Sequence, residues 1–271
     1  MKEILKQNKA LKRLVREMSE VAGYLWQRGW AERNAGNISV NIKDLLLEEI
    51  PETGSYPFFE LPATYPALAG SCFLVTGTGK RMRDLANAPL KNVLIITLSE
   101  AANSYQIISK KVDNGNLMPT SELATHLGIH QMIAERGSSE KVVLHAHVTE
   151  LIALTHSKEL CNEPGLNKLL WSMHPETIIF VPKGVGFVPY SLPGSADIAL
   201  ETSKALQNHD IAIWEKHGVF AIGSGLSNTF DIIDILAKSV RIFLMCRVAG
   251  IATEGFNEAQ LAELKSLGEN F

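Results

Sequence analysis

The sequence of 271 residues contains few cysteines and no long apolar run. Its three cysteines, Cys72, Cys161 and Cys246, are widely spaced and form no C-x-x-C pair, which argues against a zinc ribbon or a dithiol redox site. We interpret them as reduced packing residues. No apolar stretch approaches the roughly 20 residues that a helix needs to cross a bilayer. The charged N-terminus also lacks the apolar block of a secretory signal, so we expect a cytoplasmic protein without membrane contact.

Neither sign of charge dominates the sequence. Lysine and arginine total 26, aspartate and glutamate total 29, and the formal net charge is −3 with no long run of one sign. Nucleic acid is therefore not an expected partner. The G-x-x-x-x-G-K-[ST] and G-x-G-x-x-G patterns are absent, which disfavours a nucleotide-driven enzyme. With 46% hydrophobic residues the chain can bury a sizeable core, and we expect one domain spanning residues 1–271.

Hydrophobic periodicity predicts an α/β chain. Apolar residues at three-and-four spacing predict a long opening helix that ends near Gln27. Strands are predicted at 38–42, 72–76, 93–98, 105–108, 142–147, 178–181 and 211–214. Further helices are predicted at 121–133, 150–156, 197–208 and 229–249. The stretch at about 44–70 has four prolines and few periodic apolar residues, which predicts a long surface excursion.

Two histidines separated by one residue carry the strongest local signal. His145 and His147 follow an apolar strand segment, and residues i and i+2 of a strand share a face, so both imidazoles can reach one ion. A pair of partly buried, hydrogen-bonded histidines is the alternative interpretation. His217, at the end of another predicted strand, would add a third nitrogen. Three neutral imidazoles suit Zn²⁺ and leave a position open for substrate.

A second group of potential metal ligands lies on one predicted helix. Glu122, His126 and His130 are spaced i, i+4 and i+8, so they share one helix face, and this spacing can also bind zinc. The glutamate that directly follows the first histidine in metalloproteases is missing. We therefore favour a structural role for His126 and His130.

Two short motifs are suited to binding an anion. Thr120 and Ser121 stand at a predicted helix start, where they are either an ordinary cap or a phosphate site beside the positive end of the helix dipole. If Thr120 and Ser121 bind phosphate, the side chain of Glu122 would reach the metal. The glycine-rich run Thr76-Gly77-Thr78-Gly79-Lys80 follows a predicted strand, and its backbone N–H groups could likewise approach an anion.

Taken in order, these motifs resemble the class II (zinc-dependent) sugar-phosphate aldolases. The stretches that carry the resemblance lie at 29–37 (GWAERNAGN), 75–80 (VTGTGK), 119–123 (PTSEL), 145–147 (HAH), 151–155 (LIALT), 182–186 (PKGVG), 193–194 (PG) and 217–220 (HGVF). The resemblance implies an α/β sandwich, with a central, mostly antiparallel sheet flanked by helices. It also implies a homotetramer of four-fold symmetry, with active sites at subunit interfaces.

The resemblance assigns a role to each matching residue. It implies one zinc ion per subunit, held by His145, His147 and His217, with Glu122 as the catalytic acid/base. Glu176 would be a second carboxylate brought from the adjacent subunit, although 170–176 (LWSMHPE) departs from the family pattern, and a solvated residue before strand 178–181 is the alternative. The implied cradle for phosphate and neighbouring hydroxyls consists of Asn34, Gly36, Asn37, Thr78, Gly79, Thr120 and Ser121.

The implied reaction is a retro-aldol cleavage of L-rhamnulose 1-phosphate to dihydroxyacetone phosphate and L-lactaldehyde. Zinc would act as a Lewis acid that stabilises the enediolate left when C3–C4 breaks. The alternatives within the family are an aldolase or 4-epimerase for another sugar phosphate, such as L-fuculose 1-phosphate or L-ribulose 5-phosphate. A metal-free interaction domain on the same fold is the alternative of another class, but it has no need for three histidines and an acid together.

Overall fold

The computed structural model describes residues 6, 8–46, 56–109 and 117–268. Within them nine strands form one sheet in the order β2-β5-β4-β3-β1-β6-β9-β8-β7. The strands are β1 (Asn37–Asn41), β2 (Phe58–Glu60), β3 (Cys72–Thr76), β4 (Val93–Leu98), β5 (Ser104–Ile107), β6 (Val142–Ala146), β7 (Gly186–Val188), β8 (Ile211–Trp214) and β9 (Gly218–Gly223). Neighbouring strands are antiparallel except β7 and β8, which are parallel. The expectation of a mostly antiparallel sheet is confirmed.

Helices cover both faces of this sheet. They are α1 (Lys9–Gln27), α2 (Met82–Asn87), α3 (Leu123–Glu135), α4 (Thr149–Leu154), α5 (Glu163–Met173), α6 (Pro175–Phe180), α7 (Ala196–Ala205), α8 (Leu226–Val248) and α9 (Glu258–Gly268), with short 3-10 helices at Lys43–Leu45, Pro66–Leu68 and Pro89–Lys91. Helices α1, α4, α5 and α8 contribute to the largest apolar cluster on one face. Helices α3 and α7 pack on the other face. The chain is therefore a helix-flanked α/β sandwich, as expected.

The opening helix shows how sequence spacing becomes packing. Leu11, Met18 and Leu25 recur every seven residues, and all three are fully buried against the sheet. Asn8 caps the helix, because its side-chain oxygen accepts a hydrogen bond from the backbone N–H of Leu11 at 2.8 Å. The predicted end near Gln27 is confirmed. The earlier part of that prediction, residues 1–5 and 7, lies outside the described residues.

Strand alternation places polar side chains beneath α3. In β1, Ile38 and Val40 face the large apolar cluster, so Asn37 and Ser39 face the opposite side of the sheet. β1 is also central, paired with β3 on one side and β6 on the other, and Asn37 lies opposite His145 in that register. The polar side chains of β1 are therefore next to the first histidine of the predicted pair.

One predicted strand is wrong. Residues 178–181 were predicted as a strand because of their β-branched and apolar side chains, but Pro175–Phe180 is helix α6. A proline in the first turn favours a helix start, and Glu176 suits the positive end of the helix dipole. Tertiary packing decides the outcome: Thr177 and Ile178 are buried, and the Thr177 and Ser239 hydroxyls are 2.5 Å apart. The other six predicted strands are confirmed to within one residue at either end.

Several elements were not predicted from the sequence, namely β2, β7, β9, α2, α5, α6 and α9. Strand β2 falls in the proline-rich stretch, where Tyr65 and Leu68 are also buried. The described parts of that stretch, 44–46 and 56–70, are thus integrated into the fold, whereas 47–55 lies outside the described residues. Among the helices of the described residues, none is both long enough and apolar enough to cross a bilayer.

Candidate active site

His145 is held in one orientation by its surroundings in β6. Its Nδ1–H donates to the carbonyl oxygen of Val219 at 2.9 Å, and its ring stacks on Phe220 with 4.3 Å between ring centroids. Nδ1 carries the proton in this arrangement, so Nε2 has a free lone pair. Nε2 is buried and has no hydrogen-bond partner among the described residues. A buried, unpartnered acceptor is the kind of atom that a metal ion satisfies.

His147 follows directly after β6 and is fixed from two sides. Its backbone N–H donates to the carbonyl oxygen of the fully buried Trp30 at 2.9 Å. Its side-chain Nδ1 lies 2.7 Å from Glu32 Oε1. A carboxylate only accepts hydrogen bonds, so Nδ1 of His147 is the protonated nitrogen and Nε2 is left as the ligand atom.

His217 reaches the pair from the hairpin that joins β8 to β9. Lys216 adopts a left-handed conformation at φ 57°, which lets the chain reverse within three residues. A Cβ added to Gly218 would lie 2.5 Å from the carbonyl oxygen of Ala146. Only glycine allows β9 to approach β6 this closely, and this approach brings His217 beside His145.

The three histidines form a compact ligand set. One nitrogen from each of His145, His147 and His217 lies within 4.8 Å of the other two, and across the described parts of the chain no other such group appears. Ring centroids are 4.9 to 5.3 Å apart. Three imidazole nitrogens suit a first-row metal such as zinc and leave coordination positions open. The free Nε2 of His145 and the ring orientation of His147 therefore fit a metal ion.

Glu122 lies at the N-terminus of α3 and faces the histidines. Its Oε2 is 3.6 Å from Nε2 of His145 and accepts a hydrogen bond from Nδ2 of Asn37 at 2.6 Å. Burial alone would raise the pKa of Glu122, but His145, the Asn37 hydrogen bond, His126 and His217 together hold it below the ordinary value. Glu122 is therefore ionised at neutral pH, next to the ligand cluster.

Two histidines of the cluster, His145 and His217, are neutral at neutral pH. Burial lowers the pKa of His145, and burial with the neighbouring His145 and His147 lowers the pKa of His217 to about 4. Neutral imidazole is the form that binds metal ions, so the site needs no deprotonation of these two groups at neutral pH.

A cleft of about 300 Å³ opens above these groups. It is lined by eleven of the twelve residues to which the family resemblance assigns a role, and by Ala35, Gly77, Lys80 and Pro193. Those eleven are Asn34, Gly36, Asn37, Thr78, Gly79, Thr120, Ser121, Glu122, His145, His147 and His217. The structure thus brings the metal cluster, the acid and the expected anion cradle into one site.

One end of the cleft is made of backbone and hydroxyl groups. Thr78 N–H donates to the Met118 carbonyl oxygen at 2.9 Å, and a β-bridge joins Gly77 to Pro119, which holds the glycine-rich loop against the start of α3. Gly79 has a φ of 67°, a conformation that favours glycine. The helix start also orients its dipole toward this end, so a dianionic phosphate would be stabilised there.

Glu176 lies outside this cleft. It is in the first turn of α6, where its Oε2 lies 2.9 Å from Nε2 of His174. The single chain therefore does not bring Glu176 to the three histidines. Its assignment to a neighbouring subunit's site stays a prediction.

The sequence does not predict the contacts that some residues make in and behind the site. Glu32 orients His147, and Ser39 contacts both His126 and His130. Burial lowers the pKa of His126 and of His130 to about 3, so both are neutral, and neither belongs to the ligand cluster. Alternation in β1 was the available signal for Ser39, since it shares a face with Asn37.

Comparison with known proteins identifies the family. The family model described as Class II Aldolase and Adducin N-terminal domain matches residues 16–244. The chain belongs to the class II aldolase family. A relative from Bacteroides thetaiotaomicron named rhamnulose-1-phosphate aldolase is 42% identical over 267 residues, 97% of either chain. A relative of the same name from Listeria innocua is 32% identical and covers 95% of this chain and 92% of its own.

A solved structure agrees with the sequence matches. The crystal structure of a sugar-phosphate aldolase from Thermotoga maritima superimposes with a TM-score of 0.74 at 32% identity, covering 90% of this chain and 98% of that one. The expected family and fold are confirmed. This class II aldolase carries a three-histidine cluster that could hold a metal ion, together with a partly buried carboxylate beside it.

Proposed function

We propose that this class II aldolase is a zinc-dependent enzyme that cleaves L-rhamnulose 1-phosphate to dihydroxyacetone phosphate and L-lactaldehyde. The observation that carries the proposal is the convergence of His145, His147, His217 and Glu122 in one cleft. The substrate is supported by the relatives named rhamnulose-1-phosphate aldolase, which match nearly the whole chain. A role in rhamnose catabolism follows from that substrate, and we propose the cytoplasm as the location.

We propose zinc as the bound metal, because three imidazole nitrogens are a donor set that suits this ion. His145, His147 and His217 would hold one ion per chain through their imidazole nitrogens, and Val219 and Glu32 already hold the rings of His145 and His147. When bound, zinc would supply Lewis-acid stabilisation of negative charge on the substrate oxygens near C2 and C3.

Glu122 is suited to moving the proton at C3. When the C3–C4 bond breaks, the C4 hydroxyl gives its proton to a second acid/base group and becomes the aldehyde carbonyl. The electron pair of the broken bond stays on C3 of the three-carbon fragment, and a proton must then be added to that carbon. Glu122, once protonated, would donate this proton, and in the synthetic direction its carboxylate would remove it. Asn37 holds Glu122 Oε2 at 2.6 Å, which limits the carboxylate to one orientation.

The remaining cleft residues would bind the rest of the substrate. Thr78, Gly79, Thr120 and Ser121 lie around the start of α3, where N–H groups and hydroxyls can contact the phosphate. Asn34 and Gly36 line the same cleft and would contact phosphate or neighbouring hydroxyls. Asn37 belongs to this cradle by sequence, but its amide already contacts both Glu122 and His126.

The direct test measures dihydroxyacetone phosphate released from L-rhamnulose 1-phosphate. Purified protein should carry about one Zn²⁺ per chain, lose activity with the metal on chelation, and regain it when zinc is added. L-fuculose 1-phosphate and L-ribulose 5-phosphate are tested in parallel, and faster turnover of either would replace the proposed substrate. Full activity in metal-free protein would refute the mechanism.

We also propose a homotetramer in which Glu176 acts in a neighbouring subunit's site. The support is the family resemblance and the position of Glu176 outside its own chain's cleft. Chains with Glu122→Gln and chains with Glu176→Ala, each impaired alone, should complement each other when dissociated together and reassembled. The activity of the mixture should exceed the average of the two separately reassembled variants. A strictly averaged rate would contradict a role across subunits.

A further inference from the structure

A buried chain of hydrogen bonds runs from Glu122 into the protein between β1 and α3. Asn37 Nδ2 donates to Glu122, Asn37 Oδ1 contacts His126 Nε2, and Ser39 Oγ lies 2.7 Å from His126 Nδ1 and 2.8 Å from His130 Nε2. The four residues behind Glu122 are each more than nine-tenths buried. His126, Ser39 and His130 do not line the cleft, so they are not placed to touch substrate.

The carboxylate at one end fixes the direction of every hydrogen bond in this chain. The ionised Glu122 only accepts, so Asn37 must point its NH₂ group at Glu122 and its carbonyl oxygen at His126. A carbonyl oxygen also only accepts, so His126 is protonated at Nε2 and bare at Nδ1. The bare Nδ1 accepts from the Ser39 hydroxyl, whose oxygen in turn accepts from Nε2–H of His130.

This arrangement protects the orientation of the Asn37 amide. In its other tautomer, His126 would turn a bare Nε2 toward the Asn37 carbonyl oxygen, and two lone pairs would face each other. Rotating the amide would remove that clash but would then aim the carbonyl oxygen at the Glu122 carboxylate. The ionised carboxylate of Glu122 therefore selects the tautomer of His126 that is protonated at Nε2. The Ser39 hydroxyl satisfies the bare Nδ1 of that tautomer, and burial keeps both histidines neutral.

We propose that His126, supported by Ser39 and His130, is a positioning residue for Glu122. It fixes the Asn37 amide, and the amide holds the Glu122 carboxylate where it exchanges a proton with substrate. This inference rests on the proposed function of Glu122. It gives His126 a defined task, beyond the structural role that its sequence position suggested.

The test compares three variants with one control. His126→Leu removes the donor to Asn37, His126→Gln keeps an N–H group near the position of Nε2, and Ser39→Ala removes the hydroxyl with little change in volume. Ser239→Ala is the matched control, because Ser239 is fully buried in α8 and its hydroxyl contacts Thr177 away from the cleft. The measurements are kcat, KM, metal content and the exchange of the C3 hydrogen of dihydroxyacetone phosphate with deuterated water.

Loss of positioning should slow proton transfer without removing the metal. We expect His126→Leu to lower both kcat and the exchange rate by roughly 10- to 100-fold, the usual effect of losing a supporting hydrogen-bond partner. KM should change less than about threefold and metal content should stay at the wild-type level, because the lost partner acts on Glu122 alone. His126→Gln should recover most of the loss. Ser39→Ala should slow exchange by about three- to tenfold, and Ser239→Ala should not.

Folded, metal-loaded His126→Leu protein with a wild-type exchange rate would overturn the proposal. So would a loss of metal in proportion to the loss of rate, because the defect would then lie in the histidine cluster. If His126→Leu does not fold, the exchange rate of Ser39→Ala is the deciding measurement. A Ser39→Ala exchange rate equal to that of Ser239→Ala would overturn the proposal.

Crystal structures separate this proposal from the proposed function. Wild-type protein that neither cleaves L-rhamnulose 1-phosphate nor exchanges the C3 hydrogen would refute the proposed function. In that case the position of the Glu122 carboxylate is compared between crystal structures of wild type and Ser39→Ala. A displaced carboxylate would support it, and an unmoved carboxylate with an unmoved Asn37 amide would overturn it.

Discussion

Replacing Glu32 by alanine should weaken zinc binding about 10- to 30-fold while leaving the metal-free fold intact. Glu32 Oε1 lies 2.7 Å from Nδ1 of His147 and fixes both the tautomer and the ring orientation of that ligand. Without this acceptor the His147 ring can rotate and carry its proton on either nitrogen. Restoring the tautomer and ring orientation of His147 that bind zinc would then reduce the free energy of zinc binding.

The expected magnitude follows from the geometry and exposure of this pair. Hydrogen bonds to a charged group contribute about 1.5 to 3 kcal/mol. The Glu32 side chain is 65% exposed, so water screens the interaction and the lower part of that range applies. A loss of about 1.4 to 2 kcal/mol corresponds to the 10- to 30-fold change, since about 1.4 kcal/mol is tenfold in affinity. Glu32→Gln keeps an acceptor oxygen and should lose only about two- to fivefold.

The assay is a competition titration of metal-free protein with zinc and a chromogenic chelator. Glu20→Ala is the control, because Glu20 is an exposed glutamate on α1 whose charge partner, Arg16, is also at the surface. Thermal unfolding of the metal-free proteins checks that the fold is intact. A zinc affinity of Glu32→Ala within twofold of wild type, or an equal loss in Glu20→Ala, would refute the reasoning.

Three further predictions concern Glu122, Gly218 and the buried histidines. Glu122→Gln should fold normally and lower kcat by roughly 10² or more; a normal rate would leave Glu122 as a helix-start residue only. Gly218→Ala should lower the free energy of unfolding by about 1–3 kcal/mol and weaken zinc binding, because its Cβ would lie 2.5 Å from the Ala146 carbonyl oxygen; an unchanged denaturation midpoint would contradict this. Burial lowers the pKa of His130 from 6.5 to about 3, so the unfolded chain takes up protons first and stability falls as pH drops from 6.5 toward 3. The free energy of unfolding of metal-free His130→Gln should therefore depend less on pH in that window, with a slope lower than that of wild type by up to about 1.4 kcal/mol per pH unit. An unchanged slope would contradict a neutral His130.

The parts of the site that could be predicted from sequence are those set by local spacing. His145 and His147 are two residues apart at the end of a strand, so strand geometry places both rings near one point. Glu122 stands at a helix start, where capping residues signal the boundary. These features depend on neighbours in the chain, and the structure brings them into one cleft.

The parts that could not be predicted depend on contacts between distant segments. Residues 178–181 have strand-like side chains, but Pro175 and packing against α8 select a helix. His217 was expected beside the other two histidines, but strand β9, the second strand of the hairpin that carries it there, begins at a glycine and was not predicted. Glu32 lies 115 positions before its partner His147, and no local pattern relates them.

The two faces of the sheet differ in composition. The face beneath α3 contains the hydrogen-bonded polar residues behind Glu122, and the opposite face is apolar. The face covered by α1 and α8 carries the largest apolar cluster and most of the buried hydrophobic residues of the described chain. The face beneath α3 carries two smaller apolar clusters, with Asn37, Ser39, His126 and His130 also buried there. Burying four polar side chains costs desolvation that apolar residues would avoid, and the cost is tolerable because each is hydrogen-bonded to another. Such a network is justified where it orients a group that must be held in place, and here its end group is Glu122, beside the three histidines.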